Sequence, residues 1–232
     1  MKNVVISGGT SGIGRQLVHL FLDEGHNVVT FSRNKKKLNK LFNEVKNFPG
    51  KLSCMQCDVS KPEQIKKISL KLKKDLKTVH YLINNSGTNS LGTIDKIKLN
   101  DWKKIIDVNL TGPFYLTQCL FSALRKNSVV LNMGSIASKT GFPNWSAYCS
   151  SKFGLKGFTE SLREELRPKG VRVIHAEVGA TNTAIWDDLG DGWNKDSMMN
   201  EKEVALVIFD NLKLKNTVNI DEFTLMPPAG IL

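Results

Sequence analysis

The sequence predicts a single α/β domain: a parallel, doubly wound sheet with helices on both faces. Two observations carry this reading. Short apolar runs of strand length alternate with amphipathic helical segments from the start of the chain to about residue 177. A glycine-rich turn follows the first of these runs, at the edge where a parallel sheet of this kind presents its carboxyl ends to a ligand. At 232 residues the chain fits one such domain, 1–232, and buries a large core.

Val4–Ser7 reads as a buried strand, and Ile13, Leu17, Leu20 and Phe21 then recur at helical spacing. Val28–Ser32 is the second strand, followed by a lysine-rich helix with Leu38, Leu41, Phe42 and Val45 on one face. Leu52–Cys57 is the third, and Ile65, Ile68, Leu72 and Leu76 mark its helix. Val79–Asn84 precedes one long helix from about Trp102 to Leu124. Val129–Met133, a helix from about Trp145 to Leu166 and a strand Val171–Glu177 complete six repeats, with Pro168 and Gly170 stopping the last helix. The segment 183–200 breaks the rhythm. It holds Trp186, Trp193, Met198 and Met199 among Asp187, Asp188, Asp191 and two glycines, and reads as a substrate lid or as fixed structure.

The net charge of +11 raises nucleic acid or a membrane surface as partners. Lys35–Lys37, Lys66, Lys67, Lys71, Lys73 and Lys74 interleave with the apolar positions of two helices, so we read them as solvated faces. No apolar run approaches the ~18 residues of a membrane span, and the N-terminus lacks a signal-peptide pattern. The expectation is a cytoplasmic protein with neither nucleic acid nor membrane as partner. Four cysteines include Cys54-Met-Gln-Cys57, but on a strand residues three apart face opposite ways, so no metal and no disulfide is expected there.

Ser7-Gly-Gly-Thr-Ser-Gly-Ile-Gly14 joins the first strand to the first helix. Such a loop lets a backbone approach a pyrophosphate closely at a helix N-terminus, in the manner of the Rossmann fold, although its spacing is G-x-x-x-G-x-G. The second strand ends in Ser32-Arg33-Asn34, where an acidic residue would bind the free ribose hydroxyl of NAD. Arg33 instead suits a 2′-phosphate, which predicts NADP(H) over NAD(H); the alternative is a surface arginine. Asp58 reads either as an adenine partner or as part of a helix N-cap region.

Tyr148 and Lys152 are four apart on one helix face. A phenol working near neutral pH needs its pKa of ~10 lowered by about three units, roughly 4 kcal/mol. A cation about 4 Å away at an effective dielectric near 20 supplies on the order of 4 kcal/mol, so Lys152 is expected to depress Tyr148. Ser135 ends the fifth strand at the same edge and can donate to a substrate carbonyl. Asn109 lies inside a helix between Val108 and Leu110, where it bridges waters, kinks the helix or faces solvent.

In this order the motifs resemble the short-chain dehydrogenases/reductases over about residues 3–183: the Ser7–Gly14 loop, Asp58-Val59, Asn84-Asn-Ser-Gly87, Val108-Asn109, Ser135, Tyr148 with Lys152, and Gly179 with Thr183. The resemblance implies a catalytic set of Asn109, Ser135, Tyr148 and Lys152, with Tyr148 exchanging a proton with a small carbonyl or alcohol as hydride moves to or from nicotinamide. It implies a cofactor site of Gly8, Thr10, Ser11, Gly12, Ile13, Gly14, Ser32, Arg33, Asp58, Val59, Asn85, Ser86, Gly87, Tyr148, Lys152, Gly179, Thr181 and Thr183. It also implies a homodimer or homotetramer. Ser86 stands where the family has alanine and Val178 where it has proline, and the ending Val218–Pro228 is similar to short members acting on hydroxy acids or unassigned carbonyls. The competing reading is a regulator that binds NADP without turnover.

Overall fold

The computed structural model describes residues 1–190, 192–214 and 217–231. Among the described residues seven strands, all parallel, lie in the order β3-β2-β1-β4-β5-β6-β7. They are β1 Asn3–Ser7, β2 Asn27–Ser32, β3 Lys51–Gln56, β4 Val79–Asn84, β5 Leu124–Met133, β6 Arg172–Val178 and β7 Glu222–Leu225. The helices are α1 Gly12–Asp23, α2 Lys35–Glu44, α3 Pro62–Leu76, α4 Leu99–Ile106, α5 Gly112–Leu120, α6 Ser146–Leu166 and α7 Glu201–Leu212. No described helix is long and apolar enough to cross a membrane.

The pleat of β1 shows why both faces need cover. Val4 and Ile6 join one core with Leu17, Phe21, Leu41 and Ile208, while Val5 joins the other with Leu72, Leu116 and Leu162. Helices α1, α2 and α7 therefore cover one face and α3, α5 and α6 the other. Phe21 has no exposed surface and meets the edge of Phe209 at 4.8 Å between ring centroids. Truncating it to alanine is expected to cost about 3–5 kcal/mol.

Four elements differ from the sequence expectation, among them β5, which begins at Leu124 and not at Val129. The helix expected over Trp102–Leu124 is α4, a π-helical turn Asp107–Thr111, α5 and a 3₁₀ turn Phe121–Ala123. Its apolar periodicity survives because the π turn adds a residue to one turn without changing the buried face. Helix α7 and strand β7 continue the alternation beyond the six expected repeats. The lysine positions of α2 and α3 are exposed or half-buried, as solvated faces require. Cys54 and Cys57 are free thiols, pushed up to about 11 and about 12 by burial.

Candidate active site

A cleft of about 630 Å³ opens at the carboxyl ends of the strands, where β1 parts from β4 and the chain direction across the sheet reverses. Of the residues expected at its cofactor and chemical ends, all line it except Gly14 and Asn109. At Gly14 a Cβ would lie 2.3 Å from Asn85 Nδ2 and 2.5 Å from the Gly8 carbonyl, so this glycine serves close packing of helix against loop. Asn109 sits in the π turn with its Oδ1 accepting from the Thr88 amide at 2.9 Å. Its Nδ2 donates to the Thr88 carbonyl and to Ser151 Oγ, both at 3.0 Å. It ties the segment after Gly87 to α6.

The glycine loop is held from below. Ser7 Oγ accepts from the amides of Asn85 and Ser86, both at 3.0 Å, and Asn85 Nδ2 donates to the carbonyls of Ser7 and Gly8. Gly12 has a φ of +55°, in the left-handed region that disfavours a side chain. Helix α1 starts at this glycine with Ser11 as N-cap, and the Ser11 side chain makes no capping hydrogen bond. The first amides of α1 are thus left to whatever occupies the cleft, a fit to a pyrophosphate. Arg33 and Lys37 line the cleft beyond the end of β2, fitting a further phosphate. Asp58 Oδ1 accepts from the amide and hydroxyl of Ser60, while Lys61 is the N-cap of α3.

At the other end Ser135 opens a 3₁₀ turn. Its Oγ accepts from the Ala137 amide, and Ser138 Oγ accepts from the Ser135 amide at 3.1 Å. A buried polar chain supports that turn from three strands. Asn84 Nδ2 donates to Asn132 Oδ1, Asn132 Nδ2 donates to Thr159 Oγ1, and the His175 ring lies between Thr159 Oγ1 at 3.5 Å and Ser138 Oγ at 3.2 Å. Burial, reinforced by Lys152, drives the His175 pKa down to about 4, so the ring is neutral. Thr159 Oγ1 accepts while donating to the Leu155 carbonyl, which assigns the imidazole proton to Nδ1. Nearby, burial opposes the Glu177 charge, yet hydrogen bonds from Lys139, Lys156 and Thr224 outweigh it and hold its pKa to about 2.

Tyr148 and Lys152 meet on α6, but not as expected. Lys152 Nζ donates to the Met133 carbonyl at 2.6 Å and stands 5.5 Å from the Tyr148 ring centroid. Burial pushes the Tyr148 phenol up to about 12 against the pull of the Ser135 hydroxyl, and burial brings Lys152 down to about 8. The expected depression of Tyr148 by Lys152 is therefore overturned for the free protein. The carbonyl at the end of β5 captures the ammonium, and the apolar surroundings of the phenol decide its direction of shift.

Residues 2–193 match the family model of the short chain dehydrogenases. The chain belongs to this family. As a short-chain dehydrogenase it is an oxidoreductase. An uncharacterized oxidoreductase of Staphylococcus saprophyticus is 30% identical over 194 residues, 82% of this chain and 78% of the relative. A 3-oxoacyl-[acyl-carrier-protein] reductase of Thermotoga maritima is 30% identical over 190 residues, 81% of this chain and 77% of the relative. An alcohol dehydrogenase of the archaeon Thermococcus sibiricus, solved with 5-hydroxy-NADP, superposes with a TM-score of 0.91 at 22% identity, covering 98% of this chain and 97% of that one.

The departure at Val178 is accommodated locally in this short-chain dehydrogenase. Val178 pairs with Leu225 of β7, and the Gly179 amide donates to the Leu225 carbonyl at 2.8 Å, so the backbone holds the turn that a proline would stiffen. Sequence reasoning missed several cleft residues: Lys37, Phe142, Trp145, and Gly230 with Ile231. Trp145 had a signal, since it lies one helical turn before Tyr148; the last two had none. Of the 183–200 segment, Trp186 and Trp193 line the cleft, whereas Met198 is buried and Met199 packs against the core. Asp191 and the Asp188 side chain lie outside the described residues.

Proposed function

We propose that this short-chain dehydrogenase prefers NADPH and reduces a small carbonyl compound, with Tyr148 as the proton donor. The observation that carries the reading is the convergence of Ser135, Tyr148 and Lys152 at one end of a cleft whose other end carries Arg33 and Lys37. The similar Thermococcus sibiricus structure holds an NADP analogue, which supports the same choice here. Among this chain's residues, the α1 amides would hold the pyrophosphate, Arg33 and Lys37 the 2′-phosphate, Lys152 the nicotinamide ribose, and Gly179, Thr181 and Thr183 the carboxamide. When bound, the dinucleotide supplies a hydride at its nicotinamide C4.

Ser135 orients the substrate oxygen by donating to it, and Tyr148 delivers a proton to that oxygen as the carbon becomes saturated. A phenol with a pKa near 12 is fully protonated at neutral pH, so the free enzyme is loaded for reduction. Asn109 acts through Thr88 and Ser151 as a positioning residue. The 183–200 segment serves as the lid. Its feet are pinned, with the Asn182 amide on the Met199 carbonyl and the Met199 amide on the Ala180 carbonyl, and Gly190 and Gly192 have φ of +85° and +102°. The four free thiols fit a reducing compartment, the cytoplasm.

The test is binding of NADPH and NADH to the purified chain, with turnover of neutral carbonyls followed by loss of reduced-nicotinamide absorbance. NADPH is expected to bind about ten- to hundredfold tighter, the effect of one charged hydrogen bond. Replacing Ser32 with Asp and Arg33 with Ile should reverse the order. Equal binding of the two by the native chain, or binding without any turnover, contradicts the proposal.

A further inference from the structure

The substrate half of the cleft is walled by indoles. The Tyr148 ring meets Trp145 at 5.5 Å between centroids, Trp145 meets Trp186 at 6.0 Å and Trp193 at 6.1 Å, and the last two are 4.7 Å apart. At these separations the rings touch, so they form one continuous surface and not a cage with a ligand-sized gap. Trp186 is fixed in it, with Nε1 donating to the Thr181 carbonyl at 2.9 Å. That contact satisfies its polar edge, so what it adds to the wall is apolar.

Charge is distributed unevenly along the same cleft. Among the described residues lining it, the charged side chains are Arg33, Lys37, Asp58 and Lys152. The first three belong to the dinucleotide end, and Lys152 serves the Met133 carbonyl and, in the reading above, the nicotinamide ribose. Lys195, on the 183–200 segment, pairs with Asp187. Despite a net charge of +11, the described substrate half offers no cation to a carboxylate. An ionised group placed against the indoles would lose its hydration without compensation.

We infer that the substrate is a neutral carbonyl compound carrying a planar aromatic ring beside the reacting carbon, with Trp145, Trp186 and Trp193 as its specificity-determining residues. This rests on the hydride-transfer reading above. The ring lies on the indole surface, in offset or edge-on contact, while the carbonyl oxygen reaches Ser135 and Tyr148. The reaction balances as carbonyl plus reduced dinucleotide plus one proton, giving alcohol and oxidised dinucleotide. It also sets aside the hydroxy acids to which the chain's ending points.

Three matched probes test it: methyl benzoylformate, which has the ring and no charge; methyl pyruvate, which lacks the ring; and benzoylformate, which has the ring and a carboxylate. With NADPH, kcat/KM for methyl benzoylformate should exceed that for methyl pyruvate by about tenfold or more and that for benzoylformate by about a hundredfold. Trp193→Ala and Trp145→Ala should each narrow the first ratio toward unity by raising KM for methyl benzoylformate, with NADPH binding retained, and Trp193→Phe should restore most of it. Comparable turnover of all three probes, or a first ratio unchanged in both alanine variants, overturns the inference while hydride transfer stands. If none is turned over yet methyl benzoylformate alone quenches the tryptophan emission, the pocket assignment stands and the hydride-transfer reading falls. Neither turnover nor quenching overturns both.

Discussion

Lys152 is buried, with its ammonium on the Met133 carbonyl and its pKa brought down to about 8 from 10.5. The folded state thus disfavours the charged form. Below pH 8 the lysine is charged in folded and unfolded chains alike, and burial costs on the order of 3 kcal/mol; the cost fades as pH rises from 8 to 10.5. Lys152→Met removes that cost and forfeits a hydrogen bond worth roughly 1 kcal/mol. The variant should be more stable than the native chain at pH 7 by about 2 kcal/mol, or about 5 °C in Tm, with the gain vanishing above pH 10.5. Thermal unfolding at the two pH values checks this, and an unchanged or lowered Tm at pH 7 contradicts it. The positions of Tyr148, Lys152 and Ser135 were legible because helix periodicity and strand ends are local. The direction of the Tyr148 shift was not, because the Met133 carbonyl that holds the lysine belongs to a strand 19 residues upstream.

Strand β6 carries a second titration with a consequence for the whole sheet. His175, with no exposed surface, has a pKa of about 4 against 6.5 when free. Above pH 6.5 the ring is neutral in both states. As pH falls from 6.5 toward 4 the unfolded chain takes up a proton that the folded chain refuses, and stability drops by about 3 kcal/mol. Denaturant unfolding at steps through this window should show the loss in the native chain and not in His175→Asn; parallel losses in both would assign it elsewhere. The 183–200 segment makes its own prediction as a lid: proteolytic nicking near Gly190 and Gly192 should slow when NADPH and a substrate analogue are both present. Equal protection in the free protein would mark the segment as fixed structure. The joined helices α4 and α5 escaped separation in the sequence because their apolar pattern runs through the π turn. Strand β7 escaped because it has only four residues, exposed and half-buried in alternation.

On the scale of the molecule, alternation of strand and helix made the doubly wound sheet legible, and the switch between β1 and β4 then located the cleft. The indole wall was not legible, since Trp145 and Trp193 are brought together only by the fold, across 48 residues of chain. Phe114 on α5 and Phe153 on α6 remain 43% and 47% exposed, a feature that fits the expected homo-oligomer. Light scattering should give a mass at least twice the 25.9 kDa of the chain, falling to the monomer in the Phe114→Asp/Phe153→Asp variant. A native monomer would dismiss that expectation.

Passage of hydride from this cleft to a carbonyl carbon, with Tyr148 supplying the proton, can be followed by isotope transfer. The native chain and Tyr148→Phe are each given NADPH deuterated at both C4 positions and methyl benzoylformate, and the deuterium on the carbinol carbon is measured over time. One deuterium per alcohol formed is expected from the native chain, with a rate lowered about a hundredfold or more in Tyr148→Phe although NADPH still binds. Alcohol without deuterium, or a Tyr148→Phe rate equal to the native one, would contradict this chemistry.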